Sequence, residues 1–200
     1  RCGSVAALPG DELDTGAQCE PAPAGRASII RYRPEVLLAA LDRFDTVATY
    51  ALAHEYGHHL DVTMNGAPSG GDLWVGELRA DLIAGCALAR AHAELTEVRL
   101  VLLEEMTPRD PELRQAQRRC GMDGIHPAPE WGYRAVEAGR ALCTAGVPTL
   151  LELREAADPI ARAARQSAAE AGTPWTGTAP CEPDIAGALR ALERGVGAPP

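Results

Sequence analysis

The spacing of apolar residues along the chain predicts a mainly helical protein. Between turn-rich stretches, apolar positions recur every three or four residues, which is the period of an α-helix with one buried face. The helices are predicted over 34–44, 45–61, 73–95 and 96–106, with further helical stretches in 112–147 and 148–200. The segment 28–33 instead carries β-branched and aromatic residues between turn formers, which is typical of a strand. We therefore expect an α+β fold, mainly α, with a small N-terminal strand at a sheet edge.

No linker or internal repeat divides the 200 residues, so we expect a single domain over 1–200. Residues 1–27 are rich in Gly, Pro and Ala and predict an extended lead-in, while 148–200 predict a C-terminal helical extension. Aromatic residues make up only 4% of the chain, so the core should consist of Ala, Leu and Val on closely packed helices.

The net charge and the hydropathy exclude two classes of partner. A net charge of −9 would repel a phosphate backbone, which argues against nucleic acid as a partner. No apolar run approaches the roughly 18 residues that span a bilayer, so we expect no membrane segment within these residues.

The chain contains an even number of cysteines, and no two of them have CxxC spacing. They are Cys2, Cys19, Cys86, Cys120, Cys143 and Cys181. This spacing argues against a zinc ribbon and favours disulfides in an oxidising compartment, with small buried thiols as the alternative. The sequence leaves the pairing open. A Cys2–Cys19 disulfide is one candidate, and it would tie down the lead-in.

The string HEYGHHLD over 54–61 contains HExxH, a pattern of zinc peptidases. His54 and His58 are four residues apart, so both imidazoles can reach one zinc ion from the same helix face. Glu55 lies at the flank of that face, where its carboxylate can take a proton from zinc-bound water without being a ligand. Gly57 has no side chain and should let this helix pack closely on a neighbour. The motif predicts one Zn²⁺ per chain.

A second acidic pair lies on the next predicted helix. Glu77 and Asp81 are also four residues apart and share a helix face. A catalytic zinc ion has three protein ligands and one open position, so Glu77 would be the third ligand. Asp81 would accept the free N–H of a ligating histidine and fix its tautomer. The alternative is a solvated acidic face without a metal.

These two strings resemble motifs of a family of bacterial neutral zinc metallopeptidases, which are zincins with a glutamate as third ligand. ATYALAHEYGHH is similar to the family's active-site helix, GELRADLIAG to its ligand helix and, more weakly, IHPAPEWGYRAVEAG to a later segment. The Cys-bounded lead-in before a strand is also similar. The resemblance covers about residues 1–145. Leu82 and Asp61 depart from the family pattern, where Cys and Gln are usual.

The resemblance implies a zincin-like metallopeptidase domain that hydrolyses peptide bonds. It also implies an extracytoplasmic location, either secreted or tethered to a membrane by a preceding segment.

Several further residues are candidates for places around the zinc. His126 precedes a helix and could stabilise the oxyanion of the tetrahedral intermediate, with local hydrogen bonding as the alternative. Tyr56 and Tyr133 could do the same, although core or rim positions are expected for them. His59 lies off the zinc face and should pack or contact a ligand, and His92 should be at the surface.

Asp61 and Asp72 flank the loop between the two metal helices and are predicted to cap them. Trp74 and Trp131 are expected to anchor the core.

The sequence thus predicts a zinc-dependent metallopeptidase for peptide or protein substrates, with Glu55 as general base. An edge strand near 28–33 would bind an extended peptide by strand addition. One alternative is a zinc-stabilised binding domain of the same fold without turnover. The other is a metal-free helical interaction protein in which HExxH is fortuitous.

Overall fold

The computed structural model describes residues 5–9, 17–20, 28–32, 45–65, 73–107, 109, 111, 114 and 126–171. Three short strands come first: β1 (Val5–Pro9), β2 (Ala17–Glu20) and β3 (Ser28–Tyr32). The helices are α1 (Asp45–Asn65), α2 (Leu73–Arg90), α3 (Thr96–Leu100), α4 (Pro129–Ala145) and α5 (Leu150–Glu170). A turn of π-helix, Val101–Glu105, continues α3. The mainly helical prediction is confirmed, and the helix predicted over 34–44 lies outside the described residues.

The strand predicted near 28–33 is present, but it is the middle strand of a three-stranded sheet. β1 pairs with β3 in parallel, from Val5 opposite Ser28 to Pro9 opposite Tyr32, and β2 pairs with it antiparallel. Both hydrogen-bonding edges of β3 are occupied, so the expectation of an edge strand that accepts a peptide is wrong. The turn formers around β1 and β2 concealed these short strands, and the parallel pairing of β1 with β3 skips β2 in the chain. β2 and β3 lie against α1.

The helix α2 lies at the centre of the helical body and packs against α1, α4 and α5. Trp74 at its start is fully buried, and Trp131 of α4 is partly buried beside it, so both anchor the core as predicted. A helix that is buried on most of its sides needs apolar residues around most of its circumference. The apolar residues of α2 that are buried are Trp74, Leu78, Ala80, Leu82, Ile83, Ala84 and Leu88.

Two glycines bring the backbones of α2 and α4 into contact. A Cβ atom built on Gly85 would overlap the carbonyl oxygen of Val136, and one on Gly139 would overlap the carbonyl oxygen of Leu82. Each helix therefore offers a glycine at the place where the other helix presents a carbonyl group. No other residue type fits this crossing without moving the helices apart.

A third glycine brings α1 close to α2. A Cβ atom on Gly57 would lie 2.7 Å from the Cα atom of Ala80, which is closer than real Cβ atoms approach a backbone. The predicted close packing of the HExxH helix at Gly57 is therefore confirmed.

A disulfide also joins α2 to α4. Cys86 and Cys143 are bonded, and their Cα atoms are 5.1 Å apart, an ordinary separation for a disulfide. The expectation of disulfides is met by this pair. The Cys2–Cys19 pair lies outside what the structure describes, because Cys2 is not described and only the backbone of Cys19, in β2, is.

The helix α5 begins with a capping box and presents one leucine and a stripe of alanines to the core. Thr149 accepts a hydrogen bond from the backbone N–H of Glu152, whose carboxylate in turn accepts one from the Thr149 backbone. The buried stripe is Leu153, Ala157, Ala161, Ala164 and Ala168. This helix lies within the stretch predicted as a C-terminal helical extension, and 172–200 lie outside the described residues. Among the described helices, none is sufficiently long and apolar to cross a membrane.

The helix predicted over 73–95 ends at Arg90. His92 has a φ of 54°, in the left-handed region, and the Ala93 N–H donates to the carbonyl oxygen of Leu88. This is the Schellman arrangement, and Ala93 packs against the apolar cluster that contains Leu88, a contact that commonly accompanies the motif. Glycine usually occupies the left-handed position, so the sequence carried no stop signal here. His92 is exposed, as expected.

Replacing Gly139 with Ala should destabilise the protein by about 3 kcal/mol, because the added methyl group overlaps the backbone of α2. Gly146→Ala is the matched control, since nothing lies within 4 Å of a Cβ atom there. Urea unfolding of both variants and the wild type gives the comparison. Equal stability of the two variants would contradict the close contact between α2 and α4.

Replacing His92 with Gly should raise the free energy of unfolding by about 0.5–1 kcal/mol, because Gly adopts a positive φ without steric cost. His92→Ala keeps the Cβ atom and serves as the control, which should show no such gain. Thermal and urea unfolding would measure the difference. A His92→Gly variant that is less stable than the wild type would contradict the assigned backbone conformation.

Candidate metal centre

The two histidines of the HExxH string face α2 across the close contact at Gly57. His54 and His58 lie one turn apart on α1, and Glu77 lies opposite them on α2. Gly57 packs against Ala80 between the two helices, so the side chains on either side of it reach the next helix. The local helix period sets the spacing of the histidines, and the helix contact brings the glutamate to them.

Three donor atoms converge at this place. The Nε2 atom of His54 lies 3.1 Å from the Nε2 atom of His58 and 3.1 Å from the Oε2 atom of Glu77. The remaining separation, from His58 Nε2 to Glu77 Oε2, is 3.4 Å. His54 and Glu77 are buried, and the His58 side chain is 24% exposed. This group could hold a metal ion.

Asp81 determines which nitrogen of His54 carries a proton. The Nδ1 atom of His54 donates to the Oδ1 atom of Asp81 over 2.8 Å, because a carboxylate accepts there. In the neutral ring, Nε2 therefore presents a lone pair to Glu77 and His58. A nitrogen lone pair and a carboxylate oxygen 3.1 Å apart repel each other unless a proton or a metal cation lies between them. The group is thus arranged around a cation.

The two carboxylates determine how the group titrates. Burial opposes a charge on His54, but the carboxylates of Asp81 and Glu77 outweigh burial and raise the pKa of His54 well above its ordinary value. Burial would also raise the pKa of Glu77, but hydrogen bonds from His126, His54 and His58 outweigh it and hold that pKa well below the ordinary range. Glu77 is therefore an anion at neutral pH.

His126, the third histidine proposed from the sequence, also reaches this group. Its Nε2 atom lies 3.1 Å from the Oε2 atom of Glu77, and its ring centroid is 6.3 Å from that of His54. It lies just before α4, and its side chain is 34% exposed. His126 is not one of the three mutually close ligand candidates, and it lies beside Glu77 on the more exposed side of the group.

The other residues considered from the sequence lie in different surroundings. Glu55 is half-buried on α1 between the two histidines of the motif. His59 is buried with its ring 5.6 Å from that of Tyr56, which is 40% exposed, so these two pack beside each other. Tyr133 packs against an apolar cluster and its phenol bonds to Glu137.

Asp61 is not a helix cap, contrary to the prediction. α1 continues past it to Asn65, and Asp61 is buried. Arg79 of α2 donates to Asp61 over 3.1 Å and to Asp158 of α5 over 3.4 Å. A buried carboxylate needs such a partner, and the arginine ties three helices together. The second predicted cap, Asp72, lies outside the described residues.

Two residues at the site carried no recognised role in the sequence. The Tyr50 hydroxyl donates to the Oδ1 atom of Asp81 over 2.6 Å. Burial, followed by the charge of Asp81, raises the pKa of Tyr50 well above 10.0, so the phenol stays a donor. The other oxygen of Asp81, Oδ2, lies against Gly132 of α4. A Cβ atom built on Gly132 would be 2.7 Å from this oxygen. The position of Tyr50 could have been inferred from the sequence, because it precedes His54 by one helical turn and therefore lies on the same helix face.

Comparison of the chain with protein-family models, with curated proteins and with solved structures gives no significant match. The chemistry of the site is therefore inferred from its own residues and the distances between them.

The metal-free protein should be most stable near pH 5–6. The raised pKa of His54 contributes stability that is fully present below about 6.5, its unfolded value, and is lost as the pH rises through the folded value. The lowered pKa of Glu77 contributes stability above about 4.3 that is lost as the pH falls. Urea unfolding in the presence of a chelator, from about pH 2 to about pH 9, would measure both limbs.

Asp81→Asn is the comparison for the alkaline limb, because it removes a carboxylate that raises the pKa of His54. The variant should lose less stability between pH 6.5 and pH 9 than the wild type. An equal slope in both proteins would show that Asp81 does not act on His54.

Proposed function

We propose that the protein is a zinc-dependent metallopeptidase that hydrolyses peptide bonds. The observation that carries the proposal is the triangle of His54 Nε2, His58 Nε2 and Glu77 Oε2, with separations of 3.1, 3.1 and 3.4 Å. Ligands at zinc–ligand distances of about 2.0–2.1 Å in a tetrahedron lie roughly 3.3 Å from one another. The three atoms match one face of such a tetrahedron, and the two-histidine, one-glutamate set is typical of catalytic zinc.

The exposure of the side chains indicates where a substrate would approach. His54 and Glu77 are about one-tenth exposed, whereas His58 and His126 are 24% and 34% exposed. A substrate would therefore approach the group from the side of His58 and His126. An open position on the solvent side is what separates a catalytic zinc site from a structural one.

The chain's own residues supply the remaining chemistry. Zinc, when bound, supplies Lewis acidity toward the substrate carbonyl and lowers the pKa of a bound water. Glu55 takes the proton of the attacking water and delivers it to the leaving amine. Asp81 holds the Nδ1–H of His54 and keeps the other ring nitrogen available as a ligand. The proximity of His126 to Glu77 supports a role for it in stabilising the oxyanion.

We further propose that the fold is zincin-like and that the chain is related to the bacterial neutral zinc metallopeptidases. The HExxH helix lies against a small mixed sheet and pairs with a helix that carries the third ligand, which supports this class. The Cys86–Cys143 disulfide supports an extracytoplasmic location, because such bonds persist in oxidising compartments.

Metal analysis of the purified protein should find one Zn²⁺ per chain. Glu77→Gln removes the charge of the third ligand and should weaken Zn²⁺ binding by at least about 100-fold, measured by competition with a chromogenic chelator. Glu155→Gln on the exposed face of α5 makes the same change away from the site and should bind as the wild type does. If the wild type binds no metal, the proposal fails.

Glu55→Gln should separate metal binding from catalysis. The variant should keep one Zn²⁺ per chain, because Glu55 is not a ligand, and should lose cleavage of a peptide library by at least about 100-fold. Full activity of this variant would overturn the assignment of the general base. A zinc-loaded wild type that cleaves nothing would instead indicate a zinc-stabilised binding domain.

A further inference from the structure

The Oδ1 atom of Asp81 is the meeting point of two hydrogen bonds from α1. The hydroxyl of Tyr50 donates to it over 2.6 Å, and the Nδ1–H of His54 donates to it over 2.8 Å. Tyr50 and His54 are one turn apart on α1, so the phenol and the imidazole reach the same oxygen from the same helix. Two donors on one oxygen restrict the carboxylate more than a single donor does.

The position of the Tyr50 ring is set by apolar packing. The ring lies against a buried cluster on α2, α3, the π-helical turn and α4, and its centroid is 5.9 Å from that of His54. The cluster is Leu88, Val98, Leu102 and Val136. Since the ring packs there, apolar contacts place its oxygen atom beside Asp81. The hydroxyl can therefore serve as a fixed reference for the carboxylate.

The other oxygen of Asp81 is confined as well. Oδ2 lies against Gly132 of α4, where a side chain larger than hydrogen would displace it. The carboxylate is thus held between a phenol on one side and a helix backbone on the other.

We infer that Tyr50 is a positioning residue for the metal centre: by holding Asp81, it fixes the ring of His54 and strengthens metal binding. The inference rests on the proposed function, because it takes His54 as a metal ligand. Tyr50 acts through Asp81 and touches neither metal nor substrate. Groups that orient the ligands of a metal commonly change affinity by about 10- to 100-fold when removed. The Tyr50 hydroxyl bonds to Asp81 and not to His54, so it is one contact further from the metal than Asp81 is. Removing this hydroxyl should therefore weaken metal binding less than removing Asp81 does.

Tyr50→Phe tests this inference, because it keeps the ring in the apolar cluster and removes only the hydroxyl. Zn²⁺ affinity, measured by competition with a chromogenic chelator, should fall about five- to tenfold. Tyr133→Phe is the matched control, since Tyr133 packs on the same cluster and its hydroxyl bonds to Glu137. The control should change the affinity less than twofold. Unfolding of both metal-free variants shows whether general stability accounts for a difference.

A double-mutant cycle with Asp81→Ala tests whether Tyr50 acts through Asp81, because alanine has no oxygen that can accept from Tyr50. In the Asp81→Ala protein, the further change Tyr50→Phe should alter Zn²⁺ affinity less than twofold, because the acceptor that Tyr50 holds is absent. A full five- to tenfold loss in that background would overturn the inference. So would an unchanged or higher affinity in the Tyr50→Phe variant alone.

The outcomes also distinguish this inference from the proposed function. A wild type that binds Zn²⁺ and cleaves peptides, with a Tyr50→Phe variant that matches the Tyr133→Phe control, would overturn only the role of Tyr50. A wild type that binds no Zn²⁺ would overturn both.

Discussion

The backbone of α2 touches two other helices directly, and the candidate site depends on both contacts. Gly57 brings α1 against Ala80, which sets how far His54 and His58 lie from α2. Gly85 and Gly139 bring α4 against α2, and the segment before α4 carries the third histidine of the site. The donor separations of 3.1–3.4 Å leave no tolerance for helices that are even one methyl group further apart.

The two acids of the site need cationic partners. Glu77 and Asp81 are both buried, and a buried carboxylate is costly without a partner. Imidazole groups surround Glu77, a proton on His54 offsets one of the two negative charges, and a divalent metal ion would offset both. The same arrangement raises the pKa of His54 and lowers that of Glu77. Metal binding would thus replace a proton at His54, so the two should compete for the same place.

Much of the helical framework could be predicted, because helix periodicity is local. The positions of the motif on α1 and of the acidic pair on α2 follow from spacing alone. The end of α2 could not be predicted, since His92 occupies a left-handed position that glycine usually fills. The order of the sheet was missed for a related reason. β1 and β2 are short and lie among turn formers, and β1 pairs in parallel with β3 although β2 lies between them in the chain.

The sequence by itself determined which donor types stand one helical turn apart, because that spacing is a property of a single helix. It therefore predicted the histidine pair, Glu77 and Asp81 as a set. Only the tertiary structure decided that Tyr50 reaches Asp81, that Asp61 pairs with Arg79 and that Cys86 bonds to Cys143. Each of these contacts joins two elements, and its length depends on how closely the helices pack. That packing depends on glycines, whose effect appears only when the neighbouring helix is in place.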